Sequence, residues 1–298
     1  AGSGMETLLF ILLGLVLLVA FLNRAGAGRC GLLAGLLILA RPEGLILALL
    51  VAAAMGLQGK WRQVITYTVA GLAPLLPYFA FNLAVSGVVW PNTFYAKQTE
   101  YAALLARPLW RRALELLYFS LGGPESGWRG VSGAHLLLAP GLLLEGWCAL
   151  RQDVAQRRLW RLLPLLWAGG HVLAYAVRLP VTYQHGRYLW AALPVWILYG
   201  LAGWGDILAT LLQRGRAGRV LGRAAVAVFA VLLLVFFLLG AVAYGEDVAF
   251  VQNEMVAVAL WLDENAPPES LVAAHDIGAL GYFARRPLLD LALSLIHI

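Results

Sequence analysis

Residues 31–56 read GLLAGLLILARPEGLILALLVAAAMG, two apolar runs parted by Arg41-Pro42-Glu43-Gly44. Each run is only about ten to twelve residues long, whereas a helix needs roughly 20 apolar residues to cross the ~30 Å hydrocarbon core. Positive charge flanks the stretch on both sides, Arg24 and Arg29 before it and Lys60 and Arg62 after it. A single broken helix crossing once would carry Lys60 and Arg62 to the wrong face under the positive-inside rule. Two half-helices folded as a hairpin keep both ends cytoplasmic, with the RPEG turn inside the membrane or near its far face. Irregular backbone survives at that depth only where protein or a wet cavity covers it. The hairpin is the reading that fits, and the sidedness of the chain follows from it.

Composition agrees with a membrane setting. The 298 residues are 61% hydrophobic and 13% charged, with a mean hydropathy of +0.78. A soluble domain carries about 25% charged residues, so a soluble globular enzyme, a disordered chain and a nucleic-acid-binding protein are all excluded. The net charge of +6 reads instead as cytoplasmic loops. Apolar spans are expected at Thr7–Leu22, Val64–Asn82, Leu136–Leu150, Leu162–Val177, Tyr188–Gly205 and Val220–Tyr244. The loops Arg151–Arg161 and Asp206–Arg223 bring eight more basic residues to the face of Arg24, Arg29, Lys60 and Arg62. That face then holds twelve of the 22 basic residues and two of the 16 acidic ones. Cys30 and Cys148 stand far apart and suggest neither a disulfide framework nor a metal site.

The expected fold is an all-α polytopic membrane protein followed by the start of an extracytoplasmic α/β domain. Residues 1–244 are expected to form the transmembrane bundle, with about six full spans, the broken hairpin at 31–56 and an external loop at 83–135. Residues 245–298 change character, since eight of the 16 acidic residues lie from Glu246 onward. Phe250–Asn265 reads as an amphipathic helix that ends at Pro267-Pro268. Leu271–His275 and Pro287–Leu291 read as strands, with a turn and helix between them at Asp276–Ala284. That is the start of a βαβ unit.

Polar groups gather on the external side. Ionisable residues within spans are costly and mark candidate sites. Arg41 and Glu43 read either as a structural ion pair that holds the hairpin or as an Arg gripping an anionic head group while Glu43 orients it; the planar guanidinium suits phosphate oxygens. Asn92, Tyr95 and Lys97, within Pro91–Lys97, read as an interfacial belt or as donors, acceptors and an aromatic face for a sugar. His185, Arg187 and Tyr188 read as a snorkelling belt or as a phosphate clamp with a stacking ring.

Taken in order, Ser3–Thr7, Arg41–Gly44, Pro91–Lys97, His185–Tyr188 and Asp276–Tyr282 with Asp290-Leu291 resemble the GT-C superfamily of membrane glycosyltransferases. Within it the chain is most similar to the bacterial terminal arabinofuranosyltransferase-like branch. The motifs are individually short, but their order covers nearly the whole chain. The resemblance implies a multi-pass protein of the bacterial cytoplasmic membrane, with its C-terminal domain outside. It implies inverting transfer of a sugar from a polyprenyl-phosphate donor to a cell-envelope glycan or lipid acceptor; no cofactor and no metal-ligating residue are expected, and composition already sets nucleic acid aside. Arg41, Lys97, His185 and Arg187 are then expected at the donor phosphate, and Glu43, Asn92, Tyr95 and Tyr188 at the sugar or acceptor. The catalytic base of such enzymes, an Asp of the first external loop, is expected before Ser3, so that these 298 residues alone are expected to be inactive. The departure at Leu293–Ile298 suggests a truncated frame. A secondary transporter or a non-catalytic envelope-assembly protein is the rival class.

Overall fold

The computed structural model describes residues 6–88, 102–120, 134–156, 159–182, 184–275 and 277–291. It is 81% helical. Described residues up to Gly222 form one compact unit, and those from Arg223 form another.

The first unit opens with α1 (Thr7–Leu22), α2 (Ala27–Ala40), α3 (Gly44–Leu57) and α4 (Trp61–Ser86). Helices α2 and α3 are the expected hairpin, packed on each other, on α1 and on α4. Each has 14 residues, longer than the sequence reading allowed, yet about 21 Å at 1.5 Å per residue, still short of the hydrocarbon core. The apolar seam is built on small residues. On α2, Gly31 and Gly35 face Tyr67, Gly71 and Pro74 of α4, so close that a Cβ at Gly31 would sit 2.9 Å from the Ala70 Cβ. Where lipid is as apolar as Leu, close backbone packing of this kind holds helices together.

Beyond residues 89–101, α5 (Leu109–Ser120) is an amphipathic helix within the segment expected as the external loop 83–135. Its apolar face buries Leu116 and Phe119. Its Arg112 Nη1 reaches the Ala176 carbonyl oxygen at 2.7 Å and that of Val177 at 3.3 Å, satisfying the C-terminal carbonyls of the next long helix but one. A 3₁₀ turn, Ala134–Leu138, leads into α6 (Ala139–Ala155), then α7 (Leu162–Arg178), a second 3₁₀ turn at Gln184–Leu189 and α8 (Leu193–Gln213). The span expected from Tyr188 therefore starts later, at Leu193. Pro194, in the first turn of α8, is favoured where its missing N–H is no loss. Helices α6 and α8 cross at Gly141, Gly200 and Gly203, and a Cβ at Gly203 would lie 2.7 Å from the Gly141 Cα.

Helix α9 (Gly215–Phe250) runs through a π-helical turn, Val251–Val256, into α10 (Ala257–Asn265). The separate amphipathic helix expected from Phe250 is instead the continuation of the last span. No helix breaker stands between them before Pro267; the π turn re-registers the hydrogen bonds without ending the helix. Trp61–Val85, Leu193–Gln213 and Gly215–Asn265 are long and apolar enough to cross a membrane. Three of the six expected full spans reach that length. Thr7–Leu22 and Leu162–Arg178 are shorter apolar helices, like the two of the hairpin. Along α9, Leu233 is 74% and Phe237 72% exposed, which in water would leave a large oily surface unpaid.

The second unit carries a small α/β element. Strands β1 (Val272–Ala274) and β2 (Leu288–Asp290) pair in parallel, with Ala273 opposite Leu289, and α11 (Gly278–Phe283) lies between them in sequence. Ala259 of α10, Leu280 and Ala284 form its buried centre. The Arg286 Nη2 donates to the Asp263 carbonyl oxygen at 2.8 Å, and its Nη1 to that of Pro267, tying the end of α10 to the second strand.

The Gly141–Gly203 crossing is a sensitive point. Gly203→Val should destabilise the protein by about 1–3 kcal/mol through overpacking, read as a lower Tm in detergent. Gly205→Ala, inside the same helix but where an added Cβ meets nothing within 4 Å, should hold Tm or raise it slightly, since alanine favours the helix.

Candidate functional site

Four segments meet around Arg41. Proline restricts its predecessor to extended backbone, and Arg41, before Pro42, lies at φ −155° and ψ 136°, which ends α2 and turns its side chain away from the helix. Pro42 removes a donor from the turn, and Gly44 starts α3 where a Cβ would meet Leu37 atoms at 2.8 Å. Arg-Pro-Glu-Gly is thus the sequence of a tight hairpin that carries one cation and one carboxylate at its tip.

The cation is 8% exposed and answered from several directions. Its Nη2 donates to the Tyr175 hydroxyl at 2.7 Å and its Nη1 to the Thr7 hydroxyl at 3.5 Å. Its Nε stands 3.6 Å from Glu43 Oε2 and 3.8 Å from Glu6 Oε1. The Tyr175 hydroxyl in turn donates to Glu43 Oε1 at 2.6 Å, so one phenol bridges the two charges of the hairpin tip. The guanidinium carbon sits 5.8 Å from the centroid of the Phe10 ring and 5.6 Å from that of Tyr188, within cation–π range.

The wall of the cluster is aromatic. On α7, Trp167, His171 and Tyr175 recur at intervals of four and so share one face. The His171 ring is 5.1 Å from that of Tyr175 and 5.8 Å from that of Phe10, and Tyr175 is 5.4 Å from Tyr188. His171 Nε2 donates to the Tyr188 carbonyl oxygen at 2.7 Å, which fixes the tautomer because a carbonyl only accepts. This bond pins the Gln184–Leu189 turn to α7. Gly186 within the turn has φ +64°, and its missing Cβ makes room for the Phe119 ring. Arg187 Nη2 donates to the Tyr188 hydroxyl at 3.0 Å, and its guanidinium lies 4.9 Å from that ring's centroid.

Of the eight expected site residues, Arg41, Glu43, Arg187 and Tyr188 come together here. The backbone of His185 belongs to the same turn, while its side chain is outside the described residues. Asn92, Tyr95 and Lys97 also lie outside the described residues. Sequence reasoning missed His171 and Tyr175. The available signal was a histidine, four residues before a tyrosine, within an apolar span, where a polar ring is costly without a partner.

Beside the cluster runs an apolar groove of about 460 Å³ between α1 and α8, lined by Ile11, Trp190, Leu193, Pro194, Ile197 and Leu198. Ile11 is the chain neighbour of Phe10, and Trp190 directly follows the Gln184–Leu189 turn.

Among known proteins, a family model described as a domain of unknown function (DUF8728) matches residues 240–292. No curated protein and no solved structure matches the chain. The matched region covers the end of α9 and the βαβ element and none of the residues around Arg41.

The Tyr175 bridge makes a direct prediction. Tyr175→Phe keeps the ring stacking and removes one partner each from Glu43 Oε1 and Arg41 Nη2. Leaving buried polar groups unpaired costs about 1–3 kcal/mol, so Tm should fall; Tyr78→Phe on α4, far from the cluster in sequence, should change it little.

Proposed function

We propose that the chain acts as a membrane glycosyltransferase, moving a sugar from a polyprenyl-phosphate donor to a cell-envelope glycan or lipid acceptor at the extracytoplasmic face of a bacterial plasma membrane. In this reading the helical unit is a multi-pass bundle. The basic turns at Arg24 and Lys60 face the cytoplasm, the Arg41 end faces outward and the βαβ unit is extracytoplasmic. The observation that carries the reading is the convergence of Arg41, Glu43, Arg187 and Tyr188, from segments more than a hundred residues apart in sequence, beside an apolar groove that opens between two helices.

The chemistry fits what such a site must do. When the acceptor hydroxyl displaces polyprenyl phosphate, negative charge grows on the leaving oxygens. A cation already held in place strengthens its grip as that charge develops, and this differential binding lowers the barrier. Arg41 is held by Tyr175 and Thr7, and Arg187 by the Tyr188 ring, so neither must reorganise during the reaction. Glu43 and Tyr188 border the place where sugar hydroxyls would lie. The groove's lining is apolar, as an isoprenoid tail requires, so in this reading the headgroup would be delivered near the cluster.

A second reading has an observation of its own. Arg41 is already engaged by Tyr175, Thr7, Glu43 and Glu6, as a purely structural latch would be.

Membranes carrying the product of the complete reading frame, incubated with radiolabelled polyprenyl-phosphate sugars and acceptor glycans, distinguish the two. Arg41→Ala and Arg187→Ala are each expected to lower transfer by about 10²–10³-fold, the usual cost of losing one charge-stabilising donor, with unchanged protein levels. Loss of transfer only in Arg41→Ala, together with a lowered Tm, would favour the latch. Absence of transfer from every donor by folded protein would move the assignment to transport or scaffolding.

A further inference from the structure

We propose that a cavity at the end of the helical unit remote from Arg41 binds the phosphate of an anionic lipid headgroup. The cavity measures about 290 Å³ and is bordered by Arg24, Gln58, Lys60, Gln63 and Trp160, with Phe21 and Met55 as its apolar floor. That volume corresponds to about ten waters of bulk liquid, room for a phosphate with its glycerol. It is formed where α1 ends, α2 begins, α3 ends and α4 begins, at the level where helices that enter a bilayer meet its headgroups.

Charge selects the ligand. Two cations and two amides line the cavity and no carboxylate does. Where a described cation does meet a carboxylate, the pair leaves no net charge for a ligand: Arg111 with Glu115, Arg161 with Glu145, Arg41 with Glu43. Among the described residues, the side chains of Arg24 and Lys60 have neither an ion pair nor a hydrogen bond; Arg24 has only the Trp160 ring, 5.1 Å from its guanidinium carbon. The contact with the indole face uses none of the guanidinium N–H groups, which stay available for oxygens, and a guanidinium can grip phosphate bidentately. Arg24 also occupies φ +58°, at the end of α1, a place where glycine or asparagine is the usual choice. A charged residue stands there despite the conformational cost. The first turn of α2 opens on the same space, with no side-chain cap on its N-terminus, so its N–H groups add to the positive field.

The test uses the full chain purified in a neutral detergent and titrated, by native mass spectrometry, with dihexanoyl phosphatidic acid, dihexanoyl phosphatidylcholine and glycerol 3-phosphate. Three variants accompany it. Arg24→Asn retains a residue that tolerates the left-handed conformation, and Lys60→Gln removes the second charge. Gly26→Leu fills the entrance, since φ −57° and ψ 142° suit any residue and an added Cβ meets nothing within 4 Å. One saturable site for phosphatidic acid is expected, weakened about fivefold by each lost cation and abolished by Gly26→Leu, with Tm preserved. Binding of phosphatidic acid but not of glycerol 3-phosphate places the ligand in the lipid. Equal binding of both supports the phosphate site with a soluble source. Equal binding of phosphatidylcholine, or anion binding that survives all three substitutions, overturns the proposal.

Discussion

A guanidinium among apolar helices has to be satisfied by the protein, and the arrangement around Arg41 follows from that requirement. An isolated buried charge costs several kcal/mol even after relaxation, so the hairpin tip can sit where it does only if other segments bring partners to it. The N-terminus of α1 supplies Thr7 and Glu6, the turn itself supplies Glu43, and α7 supplies Tyr175. Each partner is useful only in one relative placement of its helix. The same contacts that offset the charge therefore fix the order in which α1, α3 and α7 meet. His171 extends the constraint one step further, since its bond to the Tyr188 carbonyl oxygen sets the turn that carries Arg187.

Much of this was legible before any coordinates, and the residues show why. Pro42 between two apolar runs dictates a turn by sterics alone, and the hairpin followed from the charges flanking it. The limits of α1 were readable to the residue because Glu6 and Asn23 bound an uninterrupted apolar run. The parallel pairing of β1 and β2 was foreshadowed by two short apolar runs separated by a turn and a helix-length segment. What was not legible depends on partners distant in sequence. Helix α5 has a mixed composition whose amphipathic face becomes meaningful only once α7 is beside it. Tyr175 and His171 looked like members of an apolar span, since nothing local announces that Glu43, 132 residues away, needs a hydroxyl. The start of α8 was placed too early because Tyr188 and Leu189 are as apolar as the helix that follows them.

The two ends of the helical unit treat positive charge differently. Around Arg41 the cation is enclosed and nearly saturated by the protein, the condition for a preorganised site that does not relax as charge develops nearby. Around Arg24 and Lys60 the cations border open space. A functional reading of the chain has to assign both, and the proposed transfer at one end leaves the other free for lipid contact. The family resemblance carried by residues 240–292 concerns the βαβ unit, so it neither names nor limits the chemistry of the Arg41 cluster.

The most direct measurement is photo-crosslinking with a polyprenyl-phosphate analogue that bears a benzophenone in its isoprenoid tail, followed by peptide mapping of the labelled protein in membranes. Labelling concentrated on Ile11, Trp190, Leu193, Ile197 and Leu198, and suppressed by excess unlabelled polyprenyl phosphate, is the expected result for a donor site at Arg41 with its tail in the adjoining groove. Labelling spread along the exposed apolar length of Gly215–Phe250, with none in that groove, would contradict it.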